Sequence, residues 1–224
     1  MGTAPAGGRK ERRDTLTRER VLRAAMQLAD ERGLGFLTMR ELGLRLGVEA
    51  ASLYNHVTGK DDILNAMTDL AADEIDVPSN DVDWKEAMRR RAVSARDVFA
   101  RHPWASGLLD SRERSSPAGL SYADRVLGTL LGAGFSPRAA ANAFVVLDSY
   151  IYGFERQRSN FSTGSDMDST EVAEEVLAAI PPDALPSLMR VAGEFATAPY
   201  DEAAVFDLGL GLILDGLQRL LETA

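Results

Sequence analysis

Apolar residues recur at helical spacing from residue 16 almost to the end of the chain. In the first segment, Val21, Leu22, Ala25, Leu28 and Ala29 lie three and four positions apart, with charged and polar residues between them. This is the pattern of an amphipathic helix with one buried face. Later segments predict helices near 83–101, 104–110, 118–133, 137–157, 170–179, 183–194 and 201–222. No segment alternates convincingly as a strand, so the pattern predicts an all-α protein of about ten or eleven helices.

Residues 38–57 differ from the rest because they predict two short helices joined by a tight turn at Gly47. Thr38 and Glu41 have the spacing of a capping box, which opens the first of the two helices. The polar side chains that would then point outward are Arg40, Ser52, Tyr54, Asn55 and His56. A helix-turn-helix of this kind places its second helix in the major groove of duplex DNA.

Capping residues predict the ends of the neighbouring helices. Thr17 is placed to cap the first helix, and Gly33 is placed to end it in a left-handed conformation. Thr58 and Asp61 repeat the capping-box spacing and open a fourth helix that runs to about Asp76. These four helices predict a compact head.

The run from Val77 to Asp81 contains a proline and is the best candidate for a boundary. We therefore expect a helix-turn-helix domain over 15–77 and a C-terminal domain over 78–224. The residues before them, 1–14, predict a flexible basic arm that either follows the DNA backbone or is an added tail.

The distribution of charge along the chain agrees with this division into two domains. Residues 1–60 contain 11 Lys and Arg against 7 Asp and Glu, a balance of +4, whereas residues 61–224 contain 14 against 27, a balance of −13. A basic head on an acidic body fits phosphate binding at one end only, although chance clustering would give the same division.

Two predicted helices of the body, within 139–154 and 203–221, are apolar almost all round. A helix on the surface of a monomer needs only one apolar stripe. We therefore expect these helices to pair with their twofold copies in a four-helix dimer interface, or else to be central within one subunit. Gly209, Gly211 and Gly216 fit the close approach of another helix.

Enzyme chemistry finds little support in the sequence. The absence of cysteine excludes disulfides, thiolate metal sites and cysteine nucleophiles, and there are only two histidines. Neither a G-x-S-x-G turn nor a phosphate-binding glycine loop occurs, so we expect no catalysis, no metal and no cofactor. The apolar runs are too short to cross a bilayer and no secretory signal begins the chain, so a cytoplasmic protein without a membrane partner is expected.

The first helix ending at Gly33 is followed by four runs that resemble the tetracycline-repressor (TetR) family of bacterial regulators. These runs are Leu37-Thr-Met-Arg40, Leu46-Gly-Val48, Leu53-Tyr-Asn-His-Val57 and Lys60-Asp-Asp-Ile-Leu64. The region of Trp84 and the run 158–169 resemble the tetracycline-repressor type of C-terminal domain.

The resemblance implies a homodimer whose two heads dock in successive major grooves of a palindromic operator. It also implies a pocket in the C-terminal domain for a small-molecule effector, whose binding moves helix 4 and releases the DNA, so that the protein acts as a repressor. A protein that kept this fold but lost DNA binding is the alternative, against which the basic head argues.

Residue roles also follow from the resemblance. Thr38 would contact a phosphate at a helix N-terminus, and Arg40 would read a base, since a guanidinium can bond O6 and N7 of guanine together. A plain cap and a solvated arginine are the alternatives. The residues expected to face bases are Glu49, Ala50, Ala51, Ser52 and Asn55, and those expected to contact phosphate are Tyr54, His56 and Lys60. The founding repressor has a polar residue and a proline at positions 50 and 51, so we expect a different operator here.

The effector pocket is expected among apolar and aromatic side chains of the body with few polar groups, although such side chains are more often plain core. The candidates are Trp84, Met88, Arg91, Phe99, His102, Trp104, Phe144, Leu147, Asp148 and Ile151. The candidates for the dimer interface are Phe144, Tyr152, Val205, Leu208, Leu212 and Gly216. The founding member's magnesium–tetracycline chemistry needs histidines in the body, where only His102 is available, so tetracycline is not expected. The acidic body would favour a cationic ligand unless its charges are solvated.

Overall fold

A computed structural model describes residues 15–78, 82–112, 117–162, 169–181, 184–198 and 201–223. These residues form α-helices with no strand, which confirms the predicted all-α class. The helices are α1 (Arg18–Arg32), α2 (Met39–Leu46), α3 (Ala50–Leu53), α4 (Lys60–Asp73), α5 (Trp84–Arg101), α6 (Ala105–Arg112), α7 (Pro117–Gly132), α8 (Pro137–Ser162), α9 (Ser169–Ala179), α10 (Pro186–Phe195) and α11 (Glu202–Glu222). The predicted basic arm over 1–14 lies outside the described residues.

The chain divides into two compact units, one ending at Met67 and the other beginning at Thr68. The division falls within α4, whereas the sequence places a domain boundary at 77/78. That boundary stays a prediction. No helix in the described part of the chain is long and apolar enough to span a membrane.

Local sequence signals set the helix ends in the first unit. The Thr17 hydroxyl accepts a hydrogen bond from the Arg20 amide at 3.2 Å, which confirms the predicted cap of α1. Gly33 has the predicted positive φ, +81°, but its ψ of 164° lies outside the left-handed helical region. α4 ends at Asp73, three residues before the predicted end. All five residues of the predicted apolar stripe of α1 are buried, and Ala24, which was not predicted, is buried with them.

In the second unit, α8 packs against α5, α6, α7 and α11. It is 26 residues long and continues to Ser162, whereas the sequence predicts an end near 157. The polar residues after 157 do not break the helix, because Arg158 lies one turn after Glu155 and donates to its carboxylate at 2.8 Å. The helix therefore includes residues 158–162 of the polar run 158–169, and residues 163–168 of that run lie outside the described residues.

The contact between α8 and α11 is close. Tyr150 donates a hydrogen bond to the Phe206 carbonyl at 2.8 Å, and the Phe154 and Phe206 rings meet edge to face with centroids 5.1 Å apart. A Cβ atom at Gly209 would lie 2.8 Å from the Tyr150 ring carbon that bears the hydroxyl. The close contact with Tyr150 therefore explains why α11 has a glycine at position 209, since only a residue without a side chain allows this approach.

Candidate functional site

The recognition segment of the first unit is built on a close contact between α2 and α3. Gly47 makes the turn in the left-handed region, with φ 69° and ψ 32°. Gly43 is buried, and a Cβ atom there would lie 2.9 Å from the Val48 carbonyl oxygen and 3.2 Å from the Ala50 amide nitrogen. Leu42 and Leu53 are fully buried. The two helices therefore touch through backbone atoms, which fixes the direction of α3.

The residues predicted to contact DNA lie along this segment. Thr38 is exposed at the start of α2, and its hydroxyl accepts from the Glu41 amide at 3.2 Å, so the predicted cap is present. Arg40, Glu49, Ala51, Tyr54, Asn55 and Lys60 are exposed, while Ala50, Ser52 and His56 are half-buried. Tyr54 is 57% exposed, although a tyrosine of a folded domain usually hides its ring. The segment thus presents polar and aromatic side chains to an outside partner.

An ion pair holds the end of this segment. The Arg18 guanidinium donates two hydrogen bonds to the Asp62 carboxylate, at 2.6 and 2.8 Å, and a third to the His56 carbonyl at 3.2 Å. Asp62 also accepts from the Thr58 amide at 2.8 Å, so Asp62 makes the capping contact that the sequence assigns to Asp61. Arg18 and the Thr58 amide together hold the pKa of the Asp62 carboxyl well below its usual range. This pair fixes the backbone between His56 and the start of α4.

The second unit contains a cavity of about 430 Å³, which is within the usual size range of small-molecule sites. Its walls come from α6, α7 and α8. The lining includes the aromatic rings of Tyr122, Phe144 and Tyr152 and the charged side chains of Asp148 and Arg156. Two of the predicted ligand residues, Phe144 and Asp148, therefore line one cavity.

Arg91 of α5 lies behind this wall and is 2% exposed. Its Nε donates to the Tyr122 hydroxyl at 2.5 Å, and one terminal nitrogen donates to the Asp148 carboxylate. Burial alone would lower the pKa of Arg91, but Tyr122 and Asp148 offset this effect and the pKa is raised. The other terminal nitrogen, Nη1, is buried without a hydrogen-bond partner among the described residues. A buried donor left unsatisfied costs about 1–3 kcal/mol, and more when it is charged.

The other predicted ligand residues do not line the cavity. Trp84 packs edge to face on Phe135, with ring centroids 5.0 Å apart. His102 lies 5.5 Å from the Trp104 ring and 3.5 Å from the Glu74 carboxylate. Met88, Phe99, Leu147 and Ile151 are buried core side chains. In the described residues no group of His, Cys, Asp and Glu is arranged to hold a metal ion.

Comparison with known proteins gives the family of both units. Residues 21–67 match the family described as bacterial regulatory proteins, tetR family, and residues 77–221 match the tetracyclin repressor-like C-terminal domain. The HTH-type transcriptional repressor DrrR1 of Streptomyces coeruleorubidus is 30% identical over 98% of this chain and 83% of its own. The chain belongs to the TetR family of transcriptional regulators.

Other TetR-family relatives agree. The tetracycline repressor class A of transposon 1721 from Escherichia coli is 30% identical over 89% of each chain. The crystal structure of ActR from Streptomyces coelicolor in complex with actinorhodin has a TM-score of 0.73 and 26% identity, and the match covers 92% of this chain and 99% of that one. The chain is therefore a DNA-binding regulator and not an enzyme.

The sequence analysis does not predict two features of the TetR-family head. The Arg18–Asp62 pair joins residues 44 positions apart, and no local sequence pattern predicts it. The close approach at Gly43 could have been predicted, because a glycine within a helix costs stability and often indicates that another backbone lies against it.

Proposed function

We propose that this TetR-family chain acts as a homodimer that binds a palindromic operator through its two heads and leaves it when a small molecule enters the body. The observation that carries the proposal is the exposed polar segment from Thr38 to Lys60, held on a backbone-to-backbone contact at Gly43. The predicted roles of its residues remain those given by the family resemblance. The residues that face bases are Arg40, Glu49, Ala50, Ala51, Ser52 and Asn55, and the residues that contact phosphates are Thr38, Tyr54, His56 and Lys60.

The outer face of α11 supports the homodimer. Phe206, Leu210, Leu214 and Leu217 are buried within the chain. Leu208 and Leu212, one turn apart on the same helix, are 64% and 66% exposed. Contiguous apolar surface of this kind marks an interaction site, and a twofold axis would place each face against its copy.

Val205 and Gly216, which are also predicted for the interface, lie on the same helix. A Cβ atom at Gly211 or Gly216 would meet no atom closer than 3.9 Å. These glycines leave room for a second chain. Phe144 and Tyr152, also predicted for the interface, line the cavity instead, so we propose a dimer face formed by the exposed leucines of α11 and by Val146 of α8.

The cavity of the second unit supports ligand control. It is walled by three helices and includes few charged groups among apolar and aromatic ones, as small-molecule sites do. We propose that an effector binds there and that α4, within which the two compact units divide, moves when it does. Tetracycline is not proposed, because His102 is absent from the cavity lining.

Footprinting on genomic DNA tests the proposal. We expect protection of an inverted repeat, with two half-sites one helical turn apart or a multiple of it, in a salt-dependent manner. The plot of log affinity against log salt should become shallower by about 2 in Lys60→Gln, about 1 for each head. Lys85→Gln is the matched control, since Lys85 pairs with Asp215 in the body. The absence of any protected inverted repeat would refute the proposal.

A further inference from the structure

The cavity between α6, α7 and α8 has a hydrogen-bond acceptor available at Asp148. One carboxylate oxygen of this lining residue, Oδ1, accepts from Arg91, which is buried behind the wall. The other oxygen, Oδ2, accepts no hydrogen bond from the described residues, and the side chain is 21% exposed. Arg91 therefore neutralises Asp148 and holds its carboxylate in place, while Oδ2 is available to a donor on a ligand.

Arg156 adds a positive charge further along the same helix. Its side chain lines the cavity, is exposed, and makes no ion pair with the described residues, whereas Arg158 is paired with Glu155. Positions 148 and 156 are separated by about 12 Å along the axis of α8. Because Asp148 is already neutralised by Arg91, Arg156 gives the described lining one excess positive charge, which favours an anionic ligand.

Three aromatic rings of the lining are held by partners outside the cavity. The centre of the Arg91 guanidinium lies 5.2 Å from the Tyr122 ring centroid and 5.7 Å from the Phe144 ring centroid. The Tyr152 ring packs against Phe99, with ring centroids 5.5 Å apart. Rings that are already fixed lose little freedom on binding, and they bind an aromatic partner by stacking or edge contacts.

Small residues line other parts of the two facing helices. Gly119 and Ala123 lie one turn apart on α7, and Ser149 and Gly153 lie one turn apart on α8. A Cβ atom at Gly153 would meet no atom of the described residues within 4 Å. Because these positions have short side chains or none, a flat ring system has room beside both helices.

Resting on the proposed ligand control of the body, we propose that the effector is an aromatic hydroxy acid of two or three fused rings. Its hydroxyl group donates to Oδ2 of Asp148, its rings lie against the aromatic side chains, and its carboxylate pairs with Arg156. The acidic composition of the body suggests a cationic ligand, but the excess positive charge of the lining disfavours one.

Calorimetry of the full chain without DNA tests this ligand class at neutral pH. The probes are a naphthoate with a hydroxyl group on the opposite ring, here called hydroxynaphthoate, its methyl ester, and naphthoate without the hydroxyl. Hydroxynaphthoate should bind about fivefold more tightly than the ester, the upper range for an exposed ion pair. It should bind about tenfold more tightly than naphthoate, which lacks the donor to Asp148. Equal affinities in either comparison, or no binding of hydroxynaphthoate, would overturn the proposal.

Arg156→Glu reverses the charge at an exposed position of the lining. The variant should bind the ester more tightly than the acid, which reverses the wild-type order, because the new carboxylate repels that of the ligand. Arg138→Glu is the matched control, since Arg138 is an exposed arginine of the same helix that does not line the cavity, and it should keep the wild-type order. An unchanged order in Arg156→Glu would overturn the assignment of Arg156 to the carboxylate.

Gly153→Leu tests whether the ligand lies in this cavity. The leucine side chain would project into open space, and it replaces a glycine that weakens the helix, so the melting temperature should not fall. Affinity for hydroxynaphthoate should fall at least about tenfold because the side chain takes the place of the rings. Undiminished binding would place the ligand elsewhere and overturn the proposal.

The two proposals can fail separately. The predicted ranking of the probes in a chain that protects no operator would support the site and refute the repressor. An operator-binding chain without that ranking would do the reverse. Fluorescence anisotropy with the operator completes the test, since a chain that keeps its DNA when saturated with hydroxynaphthoate would refute the role of such acids as effectors.

Discussion

Gly43→Ala is a stringent test of the recognition segment, because it adds one carbon atom at the contact between α2 and α3. The new Cβ would lie 2.9 Å from the Val48 carbonyl oxygen and 3.2 Å from the Ala50 amide nitrogen, and both of these atoms belong to the backbone. To reach an ordinary contact distance, α3 must move by about half an ångström. Alanine by itself would stabilise the helix by about 1 kcal/mol, while overpacking costs about 1–3 kcal/mol. The net change in unfolding free energy should lie between zero and a loss of about 2 kcal/mol.

DNA binding should suffer more than stability. Base-reading hydrogen bonds span only about 2.7–3.2 Å, so a displacement of this size weakens them in both heads. Each good base contact is worth about 1–3 kcal/mol, and operator affinity should fall at least about tenfold. Urea unfolding followed by circular dichroism measures the first effect, and fluorescence anisotropy with the footprinted operator measures the second.

Gly128→Ala is the control for this prediction. Gly128 lies within α7, and a Cβ atom there would meet nothing within 4 Å. This variant should gain about 1 kcal/mol and bind the operator unchanged. If Gly43→Ala were stabilised as much as Gly128→Ala and bound the operator within about twofold of the wild type, the argument from backbone contact would be wrong.

Three further predictions concern separate surfaces. Arg40→Ala should cost about 1–3 kcal/mol of operator affinity and relax the choice at one base pair in each half-site; unchanged preference in a binding-site selection contradicts base reading. The pKa of Asp62 is lower in the folded chain than its unfolded value of about 4, so its stabilising contribution is present at neutral pH and is lost as the pH falls below about 5. Asp62→Asn should flatten this part of an acid-unfolding curve relative to the wild type, and an unchanged slope would refute the assignment. Leu212→Glu should give a monomer by light scattering, since each buried leucine contributes about 1.5–3 kcal/mol, whereas Leu44→Glu, at 67% exposed, should leave the assembly state unchanged.

The features that the sequence predicts well depend on near neighbours. Thr17 and Thr38 bond to amides three residues on, and Gly47 makes its turn alone. The Arg18–Asp62 pair depends on which helices meet in the folded unit, so spacing could not predict it.

The cavity shows a second limit of periodicity. Phe144 and Asp148 line it, while Leu147 and Ile151 of the same helix are core side chains. All four lie at helical spacing on a helix that is apolar on several sides. Only the packing of α7 and α5 decides which face meets empty space, and the sequence does not contain that information in a local form.

α8 has little freedom to change. Positions 144, 148 and 152 face the cavity, and Tyr150 and Phe154 bind α11. A substitution on α8 that changes the shape of the cavity can therefore also disturb the packing of α8 against α11. In descendants of this gene that acquire new inducers, early adaptive changes should therefore accumulate on α7, around Leu120 and Ala123, and α8 should diverge last.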